Sequence, residues 1–149
     1  MVNRDRERSV YYCLTATTIS IITNLGKILY ADPRPFWSSD DILAMKCSSQ
    51  YGNPSGHSTV PWGMSMLVAL DFTENFVTDP ILSALIRISA LFFGFSVSYS
   101  RVFLGVHSLN QIFFGAQLGL WTAFTMHYVI REPFMAHLKE LTSFRKTDY

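Results

Sequence analysis

Four apolar stretches divide the chain. Ser9 to Leu25 runs for seventeen residues without a charge. Gly56 to Leu70 is also uncharged and carries Val60, Trp62, Met64, Met66, Leu67 and Val68. Ile81 to Tyr99 is interrupted by one ionisable residue, Arg87, and Ser108 to Ile130 is the longest. A membrane-spanning helix needs about 20 largely apolar residues. The pattern predicts an all-α integral membrane bundle with about four transmembrane helices, near 9–26, 56–72, 80–100 and 107–130. The helices of a buried soluble bundle would carry a polar stripe at helical period, and these runs lack one. Between the runs, Asp32-Pro33, Arg34-Pro35 and Gly52-Asn53-Pro54 mark a long loop rich in chain breakers. Pro133 predicts a break, followed by a short amphipathic tail helix through Phe134, Leu138 and Leu141. Residues 131–149 are read as a tail of a single domain covering 1–149.

Composition supports a membrane setting. Hydrophobic residues make up 49% of the 149-residue chain and charged residues 15%, against about 25% charged in soluble domains. A net charge of +1 excludes a global basic field for nucleic acid. Spans alternate sides, so the cations sort into two groups. Arg4, Arg6, Arg8, Arg131, Lys139, Arg145 and Lys146 share a face with the termini, and Lys27, Arg34, Lys46 and Arg101 lie opposite. Seven against four places the termini in the cytoplasm and the long loop on the lumenal or extracellular side. Cys13 and Cys47 fall at opposite ends of the first run, too far apart to bridge.

The chemistry-bearing residues gather at the ends of these runs. Lys27 and Arg34 follow the first, and Arg offers phosphate a planar fork where Lys offers a compact charge. Ser55, Gly56 and His57 open the second. A helix start favours an anion, Gly56 admits close approach, and Ser55 can cap or donate to a phosphate oxygen. His57 stands where it can protonate a leaving oxygen. Arg101 closes the third run and His107 opens the fourth. Gln111, Gly115 and Gly119 follow His107 at four-residue spacing, a stripe that turns His107 into the bundle. A histidine held there can act as a nucleophile once an acceptor such as the Gln111 amide sets its tautomer. The acidic residues are scattered and none sits beside the histidines, so there is no evident metal set. Taken singly, each cation has a commoner role as a snorkelling interfacial residue. Three separated blocks of them on one face do not reduce to that. Arg87 lies about 21 Å of helix from Arg101, near the other membrane face, and is read as structural, as are His127 and His137.

Lys27-(six residues)-Arg34-Pro35, Pro54-Ser55-Gly56-His57 and Ser100-Arg101-(five residues)-His107 together resemble the type-2 phosphatidic acid phosphatase superfamily. That group includes lipid phosphate phosphatases, glucose-6-phosphatase and vanadium haloperoxidases. The resemblance implies a phosphatase that uses no cofactor or metal. His107 would attack phosphorus to form a phosphohistidine, and His57 would act as general acid and then activate water. Lys27, Arg34, Ser55, Gly56 and Arg101 would hold the phosphate oxygens. Two features depart from the family pattern. Gln111 stands where most members carry Asp, as it does in glucose-6-phosphatase-like members. The four runs also match the last four of the family's usual six spans. The expected substrate is a lipid phosphate or small phosphate ester. Gln111 and the run Arg34-Pro35-Phe36-Trp37 tilt it towards the glucose-6-phosphatase branch. Phe36, Trp37, Tyr51 and Trp62 are candidates for an apolar entrance. Either the sequence is a fragment, or a partner subunit or second copy covers the flank of the missing pair; Met1 before a basic segment tilts the expectation towards a partner or a minimal form. A catalytically silent subunit of a larger assembly is the alternative.

Overall fold

The computed structural model describes residues 2–46 and 48–144, and the side chains of 6–46 and 48–141. Cys47, Arg145, Lys146 and the Arg4 side chain therefore lie outside the described residues. Every regular element among them is helical. The elements are α1 (Val2–Tyr30), α2 (Pro35–Ser38), α3 (Gly56–Phe76), α4 (Pro80–Phe103), α5 (Leu109–Thr125), a π-helical turn (Met126–Ile130) and α6 (Arg131–Phe144). Each of the four apolar runs lies in a long helix. Among the described residues one helix, α4, is long and apolar enough on its own to cross a membrane.

The bundle is built around α3, which packs against α5, α4 and α1. Small residues set the closest crossing. A Cβ on Gly115 would come within 2.7 Å of the Ser55 carbonyl oxygen, and one on Gly119 would overlap the Thr59 carbonyl. Gly63 faces Gly119 from the other side. The two backbones therefore touch, and the stripe that carries His107 faces α3, as its spacing predicts. Below that crossing Tyr11, Met66, Leu67, Leu70, Ala123 and Met126 form the core. Trp62 turns away from the other candidate entrance aromatics onto α4, where it covers Gly94 and donates to Ser98 Oγ at 3.0 Å.

Helix ends are specified locally. Asp79 caps α4, its carboxylate accepting from the amides of Ile81 at 2.7 Å and Leu82 at 3.2 Å. The chain leaves α4 at Gly105 in a left-handed conformation (φ 68°) that glycine adopts without strain. Ser108 caps α5 in a reciprocal box with Gln111. That box holds His107 one residue before the N-cap. The expected break at Pro133 is absent. Helix continues from α5 through the π turn into α6, and the turn before Pro133, where its ring and missing N–H would disturb an α-helical ladder, is the π turn. Phe134 on α6 packs against Tyr11, with ring centroids 6.2 Å apart. The tail helix thus closes the end of the bundle.

Candidate active site

The three sequence blocks meet at one end of the bundle. Arg34, on the loop after α1, is buried and aims its guanidinium inward. Its Nε donates to the Gln50 carbonyl at 2.7 Å, and one terminal nitrogen donates to the Val106 carbonyl at 3.0 Å. The same nitrogen lies 3.3 Å from His107 Nε2. Gln111 approaches the other ring nitrogen, with Oε1 3.0 Å from His107 Nδ1. Both His107 and Gln111 are almost fully buried.

These contacts settle the proton positions. Gln111 Nε2 faces two acceptors, the Pro33 carbonyl at 2.8 Å and Asp32 Oδ2 at 3.1 Å. Only an N–H satisfies both, so the amide oxygen must face His107 and the backbone N–H of Ser108. His107 then carries its proton on Nδ1. Nε2 keeps its lone pair and accepts from Arg34, which can only donate. The nitrogen with nucleophilic capacity is therefore the one beside the guanidinium. Burial pushes the His107 pKa down to about 4; Gln111 opposes that shift, while the charges of Arg34, His57 and Lys27 add to it. The imidazole is neutral at physiological pH.

Lys27, in the last turn of α1, donates to Gln50 Oε1 at 2.7 Å. Burial and then the charge of Arg34 lower its pKa. Burial also lowers the pKa of Arg34. Lys27, Gly56 and His57 line one side of a cavity of about 410 Å³ whose other wall includes Thr23, Asn24 and Pro61. His57 is exposed there, within electrostatic reach of Arg101, Lys27, Arg34 and Lys46. Ser55 is the N-cap of α3, yet its side chain makes no cap bond, and its buried Oγ has no partner. Its backbone N–H is held by the Gln111 carbonyl at 3.1 Å. Arg101 in the last turn of α4 likewise buries an unpartnered Nε. A Cβ on Gly56 would meet only Thr23 Cγ2 at 3.4 Å, an ordinary contact, so packing alone does not require glycine there. Of the candidate entrance aromatics, Trp37 stacks edge-on with both Phe36 and Tyr51, each at 6.1 Å between centroids.

Three contributors carry no motif in the sequence. Gln50 joins Lys27 to Arg34 through its side chain and its carbonyl. Asp32, legible in sequence only as part of a turn, supports Gln111. Gly52 backs the same amide closely enough that any Cβ would overlap it.

The site can therefore offer a neutral, oriented imidazole beside a cluster of cations, with a second imidazole at the cavity. The PAP2 superfamily profile matches residues 8–134. Dolichyldiphosphatase 1 of Dictyostelium discoideum is 31% identical over 59% of this chain and 39% of its own length. Dolichyldiphosphatase 1 of Mus musculus is 29% identical over 72% of this chain and 47% of its own length. The chain thus spans less than half the length of these curated relatives. A solved structure, the transmembrane PAP2 type phosphatidylglycerolphosphate phosphatase of Bacillus subtilis, shares the fold. It superposes with a TM-score of 0.71 at 24% identity, over 78% of this chain and 56% of the other. With the profile covering most of its length and all three motifs meeting at one end of the bundle, the chain belongs to the PAP2 superfamily.

Proposed function

We propose that this protein is a membrane lipid phosphatase that works through a phosphohistidine on His107. The observation that carries the reading is the bonding of His107, with Nδ1–H held by Gln111 Oε1 and Nε2 unprotonated beside Arg34, whose guanidinium turns from Nε2 to a phosphoryl oxygen as the lone pair attacks. In the first step the Nε2 lone pair forms a bond to phosphorus. The bond from phosphorus to the leaving oxygen breaks, and His57 delivers a proton to that oxygen. In the second step His57 removes a proton from water, the water oxygen bonds to phosphorus, and the N–P bond breaks. A phosphate monoester thereby gives an alcohol and inorganic phosphate, and a diphosphate gives the lipid monophosphate and inorganic phosphate. Arg34, Lys27, Arg101, Ser55 and the amide end of α3 at Gly56 hold the phosphoryl oxygens, where negative charge develops. Buried, unpartnered donors on Ser55 and Arg101 support that assignment.

The curated relatives are named dolichyldiphosphatases. That favours a lipid-linked diphosphate over a small sugar phosphate as the substrate. In the membrane, α1, α3, α4 and the α5 helix form four spans, with the site on the lumenal or extracellular face. The apolar side chains exposed along α4, among them Leu85, Ile88, Phe92 and Phe95, suit a lipid-facing or partner-facing flank.

The test is phosphate release by purified protein in detergent from dolichyl diphosphate, phosphatidylglycerolphosphate and glucose 6-phosphate, beside His107→Ala. We expect release from the lipid substrates, loss of release in the variant, and an acid-labile phosphoenzyme in the wild type only. Equal release by both proteins would sink the nucleophile assignment.

A further inference from the structure

The family pattern places a carboxylate four residues after the nucleophile, and here an amide stands there. The carboxylate is nonetheless present one bond further out. His107 Nδ1 lies 3.0 Å from Gln111 Oε1, and Gln111 Nε2 lies 3.1 Å from Asp32 Oδ2. Imidazole, amide and carboxylate form a continuous chain of hydrogen bonds, all pointing the same way. We infer that Asp32 is a positioning residue that acts on His107 through the Gln111 amide, doing at one remove what a carboxylate at position 111 would do directly. The inference deepens the phosphohistidine reading and rests on it for its catalytic meaning.

Several observations converge on this role. Asp32 forms no ion pair among the described residues, although Arg34 is two positions away. The Arg34 guanidinium is committed to Gln50, Val106 and His107 instead. The Asp32 charge is therefore left to act on the amide. The loop is built to keep that contact: Gly52 donates its N–H to the Asp32 carbonyl at 2.8 Å and lies flat against the Gln111 amide.

The physical effect has two parts. First, a carboxylate can only accept, so it holds Gln111 with Nε2 outward and Oε1 towards His107. Second, its negative charge polarises the amide and enriches Oε1 in negative charge. As Nε2 attacks, the ring becomes cationic, and the Nδ1–H···Oε1 bond strengthens with it. The arrangement also keeps the full negative charge away from the incoming phosphate, which a carboxylate in direct contact with His107 would not.

Pro33 offers Nε2 a second acceptor at 2.8 Å, so orientation and charge can be separated by experiment. Asp32→Asn keeps shape and an acceptor oxygen but removes the charge. Gln111→Glu keeps shape but sets two carboxylates against each other. Asp32→Asn with Gln111→Glu restores a single charge and a matched donor, moved one position inward.

Two readouts are needed on the full-length protein. One is the ¹⁵N-histidine NMR titration of His107, whose other charged neighbours (Arg34, His57 and Lys27) are unchanged in every variant. The other is steady-state phosphate release. For Asp32→Asn we expect a His107 midpoint below the wild type's and a fall of about ten- to a hundredfold in kcat, with KM within a few-fold. Gln111→Glu alone should be impaired. The double variant should recover to within about tenfold of wild type, with its His107 midpoint above the wild type's. A purely structural Asp32 would move neither the midpoint nor kcat once the fold is intact. An unchanged midpoint in Asp32→Asn, or a double variant no better than Gln111→Glu, overturns the inference. If the midpoints shift as expected but no variant, nor the wild type, releases phosphate, the relay stands and the phosphatase reading falls.

Discussion

The two ends of this bundle hold similar charged residues and use them in opposite ways. At the end formed by Asp71 and Glu74 of α3, Arg8, Arg87, Arg131 and His127 each meet an acid or a hydroxyl. Asp71 accepts from Tyr12 at 2.5 Å and pairs with Arg131 at 2.5 Å and Arg8 at 3.7 Å. Glu74 takes His127 at 2.8 Å and Arg131 at 3.7 Å. Arg87 donates twice to Thr73. At the other end Lys27, Arg34 and Arg101 form no ion pair with any carboxylate among the described residues, and their acceptors are carbonyls and an amide. A buried cation without a counter-charge is costly. One end pairs its charges and ties helices together; the other leaves its cations without carboxylates, which suits the anionic ligand proposed above.

The strongest challenge to that contrast is at His107. Replacing it with Ala should lower phosphate release by at least about 10³-fold, as removing a nucleophile does elsewhere. Thermal stability should not fall in proportion. A variant that keeps more than a tenth of the activity would mean that the cations serve some other ligand.

The second challenge is at Asp71. Its side chain is 4% exposed and holds two arginines and a tyrosine. Asp71→Ala leaves Arg8 without its carboxylate and Arg131 with Glu74 alone, and should cost about 3 kcal/mol of stability. That loss would be read as a lower melting temperature or poor yield. If Asp71→Ala melts like wild type and loses only activity, the two ends are not divided as described.

The two ends differ in how far the sequence announces them. Lys27, Arg34, His57, Arg101 and His107 are legible because each falls at the end of an apolar run and at a fixed spacing. The Gly115–Gly119 stripe gives the facing of α5 because only small residues allow the contact that forms. Asp32 and Gln50 are not legible, because each owes its role to a loop that folds back on α1 and α5, and no local pattern encodes that return. The Asp71 network is hidden for the same reason: Arg8, Asp71 and Arg131 are about sixty residues apart in sequence. Pro133 misleads because the π turn before it takes up the irregularity and the helix runs on. Trp62 looks like an entrance residue only until helix phase turns it onto α4.

Acidity probes the contrast more gently. The His107 pKa lies near 4, below the ordinary 6.5, chiefly through burial. Between those values the unfolded chain takes up a proton and the folded chain does not. Stability should therefore decline as pH falls from about 6.5 to about 4, by at most about 3 kcal/mol. His107→Gln should flatten that part of the stability profile. His107 stays neutral down to about pH 4, so it should not produce an acid limb near 6.5 in phosphate release. An activity limb at that position that follows His107 in ¹⁵N NMR would show the ring to be solvated and the site open.

The smallest effect belongs to Glu74. Its side chain is 39% exposed, and its bonds to His127 and Arg131 reach partly into solvent. Water screens such pairs, and Arg131 keeps Asp71 as a stronger partner. Glu74→Gln retains an oxygen to accept from His127 Nε2, so geometry survives and only charge is lost. The expected cost is about 1 kcal/mol or less, smaller still at high salt. Phosphate release should stay within about twofold of wild type, because the substitution leaves the core between the two ends untouched. A tenfold change in kcat would mean that the ends communicate through α3. In that case the paired end would set the position of the site, and its charges would have to be counted as part of the catalytic apparatus.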